Sequence, residues 1–110
     1  MAEPTLQEVF GAGATQTATT ITILKADLGI TATANNRGEQ LFAGIVKKAT
    51  TNLTTANFAT NADQSIVINT GFDSLVYRTI NNVQTTYLQN QLTINFAKIQ
   101  TSVGITPDDY

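Results

Sequence analysis

The chain has 110 residues, a net charge of −2 and 13% charged residues, and it contains no cysteine, histidine or tryptophan. An average soluble domain has about 25% charged residues. Histidine is the usual general base and the commonest metal ligand, and cysteine is the thiol nucleophile. We therefore expect a single domain, 1–110, that is not an enzyme and has no catalytic residue, cofactor or metal site.

A short helix is predicted at the N-terminus. Thr5 is its expected N-cap, and Glu8 completes a Thr-x-x-Glu capping box. Gly11 ends the helix, and the small residues of 11–14 predict a flexible link. The apolar face of the helix consists of Leu6, Val9 and Phe10. We expect residues 1–14 to reach a neighbouring molecule.

The next two segments predict a strand and the main helix. Thr17–Leu24 is rich in β-branched residues, which favour a strand, and Gly29–Asn36 is expected to be a loop. Asn36 and Glu39 predict the start of a helix that fades near Asn57. Its apolar stripe contains Leu41, Phe42, Ile45, Val46, Ala49 and Leu53.

The second half of the chain predicts strands. Ser65–Asn69 and Phe72–Ile80 are expected to be extended, and Asn81-Asn82 is a turn signal because asparagine tolerates positive φ. Thr85–Ile99 alternates polar and apolar residues, which predicts a strand in an antiparallel hairpin. The apolar side of this strand consists of Leu92, Ile94 and Phe96.

These elements predict an α+β fold, with one main helix packed on a mostly antiparallel β-sheet and a short N-terminal helix. The helix is expected to contribute Leu41, Phe42, Ile45, Val46 and Ala49 to the core, and the sheet Leu92, Ile94 and Phe96. Residues 104–110 are expected to form a loosely held tail.

Interface residues are the functional candidates that the composition leaves open. Tyrosine combines apolar area with one hydrogen-bonding group, which suits protein interfaces. Cross-strand packing is the alternative role for Tyr77 and Tyr87, whereas Tyr110 lies on the predicted tail. The candidate interface residues are Leu6, Val9, Phe10, Tyr77, Tyr87 and Tyr110.

Other site classes have weak support. The basic residues are scattered, whereas phosphate binding needs several on one face: Lys25, Arg37, Lys47, Lys48, Arg78 and Lys98. No apolar run approaches the ~20 residues of a membrane span. Gly11-Ala12-Gly13 follows a helix and precedes a strand, the reverse of a phosphate-binding loop. We expect neither nucleic acid nor membrane as a partner.

Four stretches, taken together, resemble small virion proteins of tailed bacteriophages, including those that infect cyanobacteria. They are Thr5–Ala14, Ala34–Ala43, Asp63–Ile66 and Gln91–Phe96. The resemblance implies a structural protein of the virion, assembled in the host cytoplasm, and it assigns no functional residue. The low charge and the abundance of Thr, Asn and Gln agree with it independently.

The leading hypothesis is a virion subunit that forms a homo-oligomer, a trimer or ring, with contacts from residues 1–14. It would decorate the capsid or belong to the neck, tail or baseplate, and its partners would be itself and other virion proteins. The alternatives are a small soluble ligand- or carbohydrate-binding module and a small enzyme that uses carboxylates alone. The absence of tryptophan disfavours carbohydrate binding.

Overall fold

The computed structural model describes residues 3–98 and 104–110, and it combines helices with antiparallel strands. The predicted α+β class is therefore confirmed. In chain order, the elements are α1 (Leu6–Phe10), β1 (Thr15–Gln16), β2 (Ile21–Thr22), a 3-10 helix (Lys25–Leu28), α2 (Gly38–Ala49), α3 (Thr55–Thr60), β3 (Ile66–Thr70), β4 (Ser74–Ile80), β5 (Val83–Gln89), β6 (Leu92–Phe96) and a second 3-10 helix (Pro107–Asp109).

Helix α1 begins with the predicted capping box. The Thr5 hydroxyl accepts a hydrogen bond from the Glu8 N–H, and the Glu8 carboxylate accepts one from the Thr5 N–H, both at 3.1 Å. These bonds satisfy two of the backbone donors that a helix start leaves unpaired.

Helix α2 is shorter than predicted, and its expected cap is wrong. Arg37 occupies the N-cap without a side-chain hydrogen bond. The Asn36 side chain accepts from the Thr33 N–H and donates to the Thr31 carbonyl and to Gln40 Oε1 of α2. The helix ends at Ala49, where the hydroxyls of Thr50 and Thr51 turn back to donate to carbonyls of the last turn.

The remainder of the predicted main helix forms α3, a separate helix. The Thr54 hydroxyl accepts from the Asn57 N–H at 3.1 Å and so caps α3. A threonine that caps a new helix has extended backbone, as φ −93° and ψ 160° at Thr54 show. The same threonines that predicted a fading helix therefore divide it into two.

The predicted strand Thr17–Leu24 is mostly irregular. Within it only Ile21 and Thr22 form a strand, β2, which pairs with β1 just before the predicted segment, with Thr15 opposite Thr22. Between them the Thr17 hydroxyl accepts hydrogen bonds from the Thr19 and Thr20 N–H groups. Threonine hydroxyls that bond to nearby backbone form local turns instead of strand pairing.

The second half forms two separate two-stranded antiparallel sheets. β3 pairs with β6, and β4 pairs with β5, both antiparallel. Three residues, 71–73, link β3 to β4, whereas two residues, 90–91, link β5 to β6. The link between β3 and β4 therefore has one more residue than the link opposite it, as at a β-bulge. The predicted strand Thr85–Ile99 is interrupted at 90–91, and Ile99 lies outside the described residues.

The predicted turn at Asn81-Asn82 is confirmed. Both residues have positive φ, 51° and 64°, and Ile80 pairs with Val83 on either side of them. This is the left-handed two-residue turn that matches the twist of a β-hairpin. We call the structure formed by β4, this turn and β5 the distal ribbon, residues 74–89.

The core lies between the helices and β3, whereas the sequence predicted β6 as its sheet side. Ala49 and Leu53 from the helical layer contact Ile68 of β3. The buried apolar residues of the described part are Ala14, Leu28, Ala49, Leu53, Val67 and Ile68. The predicted sheet contribution from Leu92, Ile94 and Phe96 is wrong for the single chain, since each is 41–43% exposed.

The predicted stripe of α2 is also only partly correct. Ala49 is buried, and Leu41, Ile45 and Val46 are half-buried, but Phe42 is 68% exposed. Helix α2 packs mainly on α1 and the 3-10 helix that ends at Leu28, and these elements cover only part of its apolar face. Alternation and periodicity identify an apolar face, but they do not reveal how far the opposing layer extends over it.

Candidate assembly surface

The distal ribbon is apolar, and the other described helices and strands do not support it. β4 and β5 pair with each other, and neither packs substantially on any other described helix or strand. The radius of gyration is 17.0 Å and the longest dimension 53 Å, whereas a compact chain of this length has a radius of gyration of about 13 Å. A two-stranded hairpin that projects in this way is marginally stable in water without a packing partner.

The first face of the ribbon exposes a contiguous apolar patch. Directly opposite residues lie on the same face of an antiparallel pair, and Leu75 is opposite Leu88. Tyr77 lies on the same side of β4, two residues nearer the turn. Leu75, Tyr77 and Leu88 are 60%, 64% and 63% exposed, so this patch has the residue types of a core and the exposure of a surface.

The second face exposes another apolar patch. Ile80 lies opposite Val83, and Val76 lies opposite Tyr87. The Arg78 guanidinium carbon lies 5.1 Å from the centre of the Tyr87 ring, a cation–π contact that places both side chains on this face. Ile80, Val83 and Tyr87 are between 36% and 61% exposed. The ribbon is therefore apolar on both sides.

Both edges of the ribbon have unpaired backbone. Within the described residues, β4 and β5 each have one strand neighbour, which is the other. Edge strands are normally protected by charged residues or proline, but 74–89 contains no proline and a single charged residue, Arg78. An edge of this composition is suited to contact with another polypeptide.

Complete burial of these side chains would stabilise an assembly. Full burial of a Leu, Ile or Val side chain contributes about 1.5–3 kcal/mol. The ribbon side chains are about half-buried in the single chain, so about half of this stabilisation is still to be gained. Lost translational and side-chain freedom opposes association by several kcal/mol. Several such residues on each face are thus needed to favour assembly, and each face has them.

The total surface of the chain is large for its mass. The accessible area is 8281 Å² for 11.8 kDa, whereas a folded monomer of this mass exposes about 5,900 Å². The excess is about 2,400 Å², and a standard protein interface removes about 800 Å² from each partner. The excess area of the single chain is therefore larger than the area that two standard interfaces would remove from it.

The N-terminal candidates lie on the chain's own fold. Val9 packs against the cluster of Ala49, Leu53 and Ile68, while Leu6 and Phe10 are half-buried. The Asn52 amide also donates to the Glu8 carbonyl at 2.9 Å. The described contacts therefore do not support the expectation that this helix reaches a neighbour, because its apolar face already packs on its own chain.

The segment 11–14 is also held in place and is not the predicted flexible link. The Gly13 N–H donates to Asp27 Oδ2 at 2.9 Å, and Ala14 is 1% exposed. Gly11 has φ 119°, and a Cβ there would collide with the Asp27 side chain. Glycine is required here because a larger residue would meet both obstacles.

The C-terminal candidate Tyr110 also contacts its own chain. Its ring lies 5.3 Å from the Phe96 ring at an interplanar angle of 65°, an edge-to-face arrangement. Lys98 Nζ donates to Asp109 Oδ2 at 2.9 Å and to the Gly104 carbonyl at 2.8 Å. The loosely held tail of the prediction is thus fastened to β6 and Lys98, for which the sequence offers no local signal.

The structure brings Tyr77 and Tyr87 together on the ribbon but on opposite faces. The residues that sequence reasoning missed are the ribbon's aliphatic ones, Leu75, Ile80, Val83 and Leu88. A signal for them existed: 74–89 has almost no charge and apolar residues of both alternation phases, which is typical of a strand covered on both sides.

A cleft of about 620 Å³ lies in the described part of the chain. It lies beside Phe58, Gln64 and Lys98. The Gln64 amide is committed to the Thr54 and Ile66 carbonyls, and Lys98 to the tail. Ligand sites present polar groups that converge on the bound molecule, and these two side chains instead hold the fold together.

No residues in the described ranges form a group of three or more acidic side chains that could hold a metal ion. Over the same ranges, no helix has both the length and the apolar character required to cross a membrane. The chain matches no protein-family model, no curated protein and no solved structure.

Proposed function

We propose that this protein is a non-enzymatic structural subunit that assembles with copies of itself. The observation that carries the proposal is the distal ribbon, which exposes apolar residues on both faces and does not pack substantially on any other described helix or strand. Since an isolated hairpin of this kind is marginal in water, association gives it the cover that the small core of the chain does not provide.

We further propose that the assembly of these subunits is part of a virion of a tailed bacteriophage. Support comes from the resemblance of Thr5–Ala14, Ala34–Ala43, Asp63–Ile66 and Gln91–Phe96 to small virion proteins, and from the low charge of the surface. Desolvating a neutral Thr/Asn/Gln surface leaves few ions to be paired. The subunit would decorate the capsid or belong to the neck, tail or baseplate, next to other virion proteins.

The test is the presence of the chain in intact particles. Virions from a phage that encodes this sequence would be purified on a density gradient, and the chain would be quantified by mass spectrometry of tryptic peptides. We expect a fixed, integral number of copies per particle that survives a high-salt wash. Absence of the chain from washed particles would contradict the virion role and would favour the ligand-binding module, whose site would be the 620 Å³ cleft.

A further inference from the structure

The distal ribbon has two apolar faces, and a single neighbour can cover only one of them. A two-stranded ribbon is one layer thick, so the patch of Leu75, Tyr77 and Leu88 points away from the patch of Ile80, Val83 and Tyr87. A partner seated on the first face leaves the second face in water. Complete cover therefore requires contact on both sides.

The symmetry of protein oligomers limits how this cover can be achieved. A two-fold dimer uses the same patch on both copies, so one ribbon face would meet its equivalent and the other would remain exposed. In a closed ring of three or more copies, each subunit contacts two neighbours through two different patches. Two distinct apolar faces match the second arrangement.

The accessible area of the chain as a whole is large enough for two contacts per subunit. The excess accessible surface of about 2,400 Å², on a total of 8281 Å², exceeds twice the ~800 Å² that one standard interface removes from a partner. A single standard interface would leave most of this excess exposed.

The chemistry of the two faces favours another copy of this chain as the occupant. Arg78 is the single charged residue of 74–89, so the ribbon has no charge pattern with which to select a polyanion or a charged protein. Each face has aliphatic side chains, one tyrosine and threonine, and the second face also has Arg78, which lies over the Tyr87 ring. The first face of one ribbon can therefore pack on the second face of another copy, because both faces are apolar.

We propose that the distal ribbon of each subunit is buried between two other copies of the same chain, with its first face against the second face of one neighbour, and that this contact closes a ring of three or more subunits. The inference rests on the proposed self-assembly and specifies its contact surface and symmetry.

Two paired substitutions test the proposal, one for each face. Leu75→Lys with Leu88→Glu makes the first face charged, and Ile80→Lys with Val83→Glu does the same for the second. Both pairs lie directly opposite across the strands, so the introduced charges attract each other and support strand pairing. Phe42→Glu is the matched control, because Phe42 is as exposed as Tyr77 but lies on α2.

The readout is the mass of the assembly by native mass spectrometry at a fixed protein concentration. We expect the Phe42→Glu chain to keep the wild-type oligomer and each double variant alone to give single copies of about 11.8 kDa. We expect an equimolar mixture of the two double variants to form a one-to-one pair, since one supplies an intact second face and the other an intact first face. This pair would also show that both variants fold.

Three results would overturn the inference while leaving self-assembly intact. If one double variant keeps the wild-type mass, the ribbon contacts a single neighbour. If both keep it, the contact lies elsewhere. If both are single copies and the mixture forms no pair, the faces do not bind each other. A wild-type chain that stays a single copy would instead contradict the proposed function itself.

Discussion

Leu75 and Leu88 lie directly opposite one another across β4 and β5, and their side chains are 60% and 63% exposed. Cross-strand leucine pairs are stabilising when a second layer covers them, and none of the other described helices and strands forms such a layer over this pair. The pair lies at the centre of the first face of the distal ribbon, which is the surface that we propose as an interface.

Assembly should be insensitive to salt. The ribbon contains one charged residue, Arg78, whose guanidinium lies over the Tyr87 ring of its own chain. Screening by about 1 M salt reduces the Debye length to about 3 Å, which weakens ion pairs but not apolar contacts. Sedimentation velocity at about 50 mM and about 1 M NaCl should give the same oligomer, and a tenfold loss of affinity at high salt would point to an ionic interface.

Asn82→Val should weaken assembly through the ribbon turn. Asn82 has φ 64°, and the left-handed conformation costs an L-residue about 1–2 kcal/mol, more when it is β-branched. The dissociation constant should rise about tenfold or more, as measured by sedimentation velocity over a concentration series. Asn82→Gly is the control and should assemble like the wild type, since glycine accepts positive φ. Equal affinities for both variants would show that the turn does not position the interface.

Ile68→Ala should destabilise the single chain more than Phe96→Ala. Ile68 is 9% exposed and contacts Ala49 and Leu53, whereas Phe96 is 41% exposed and contacts Tyr110. Truncation of a fully buried Ile or Phe costs about 2–5 kcal/mol, so we expect about 3 kcal/mol for Ile68 and about 2 kcal/mol for Phe96. Both would be measured by urea unfolding of the single-copy Leu75→Lys/Leu88→Glu chain. The reverse order would show that β6, not β3, supplies the sheet side of the core.

Deletion of residues 1–14 should lower the stability of the subunit. Val9 packs on the cluster of Ala49, Leu53 and Ile68, and the Asn52 amide bonds to the Glu8 carbonyl. Loss of this cover should lower the unfolding midpoint in urea and expose the core to a hydrophobic dye. If the chain without residues 1–14 keeps its unfolding midpoint but forms a smaller oligomer, the interface includes the N-terminal helix, as the sequence alone predicted.

Local signals in the sequence predicted the short-range structure well. The capping box of Thr5 and Glu8 and the turn at Asn81-Asn82 depend on residues a few positions apart, and the residue types themselves carry the information. The division of the predicted main helix at Thr50–Thr54 was missed because a threonine either weakens a helix or caps the next one. Backbone geometry, not residue type, separates the two outcomes.

Long-range packing was predicted less well, for a physical reason. Alternation in Leu92, Ile94 and Phe96 revealed an apolar face but not that the helices cover β3 in preference to β6. Tyr110 against Phe96 joins residues that no local pattern connects. The ribbon was predicted as a hairpin, but its lack of cover depends on where the other elements are, and that is a property of the whole fold.

The most direct test of self-assembly through the distal ribbon is the mass of the unmodified full-length chain in solution at tens of micromolar. Sedimentation velocity should show one species of at least three copies, each of 11.8 kDa, which dissociates on dilution without loss of helix signal in circular dichroism. A single species of 11.8 kDa over the whole concentration range would contradict the claim.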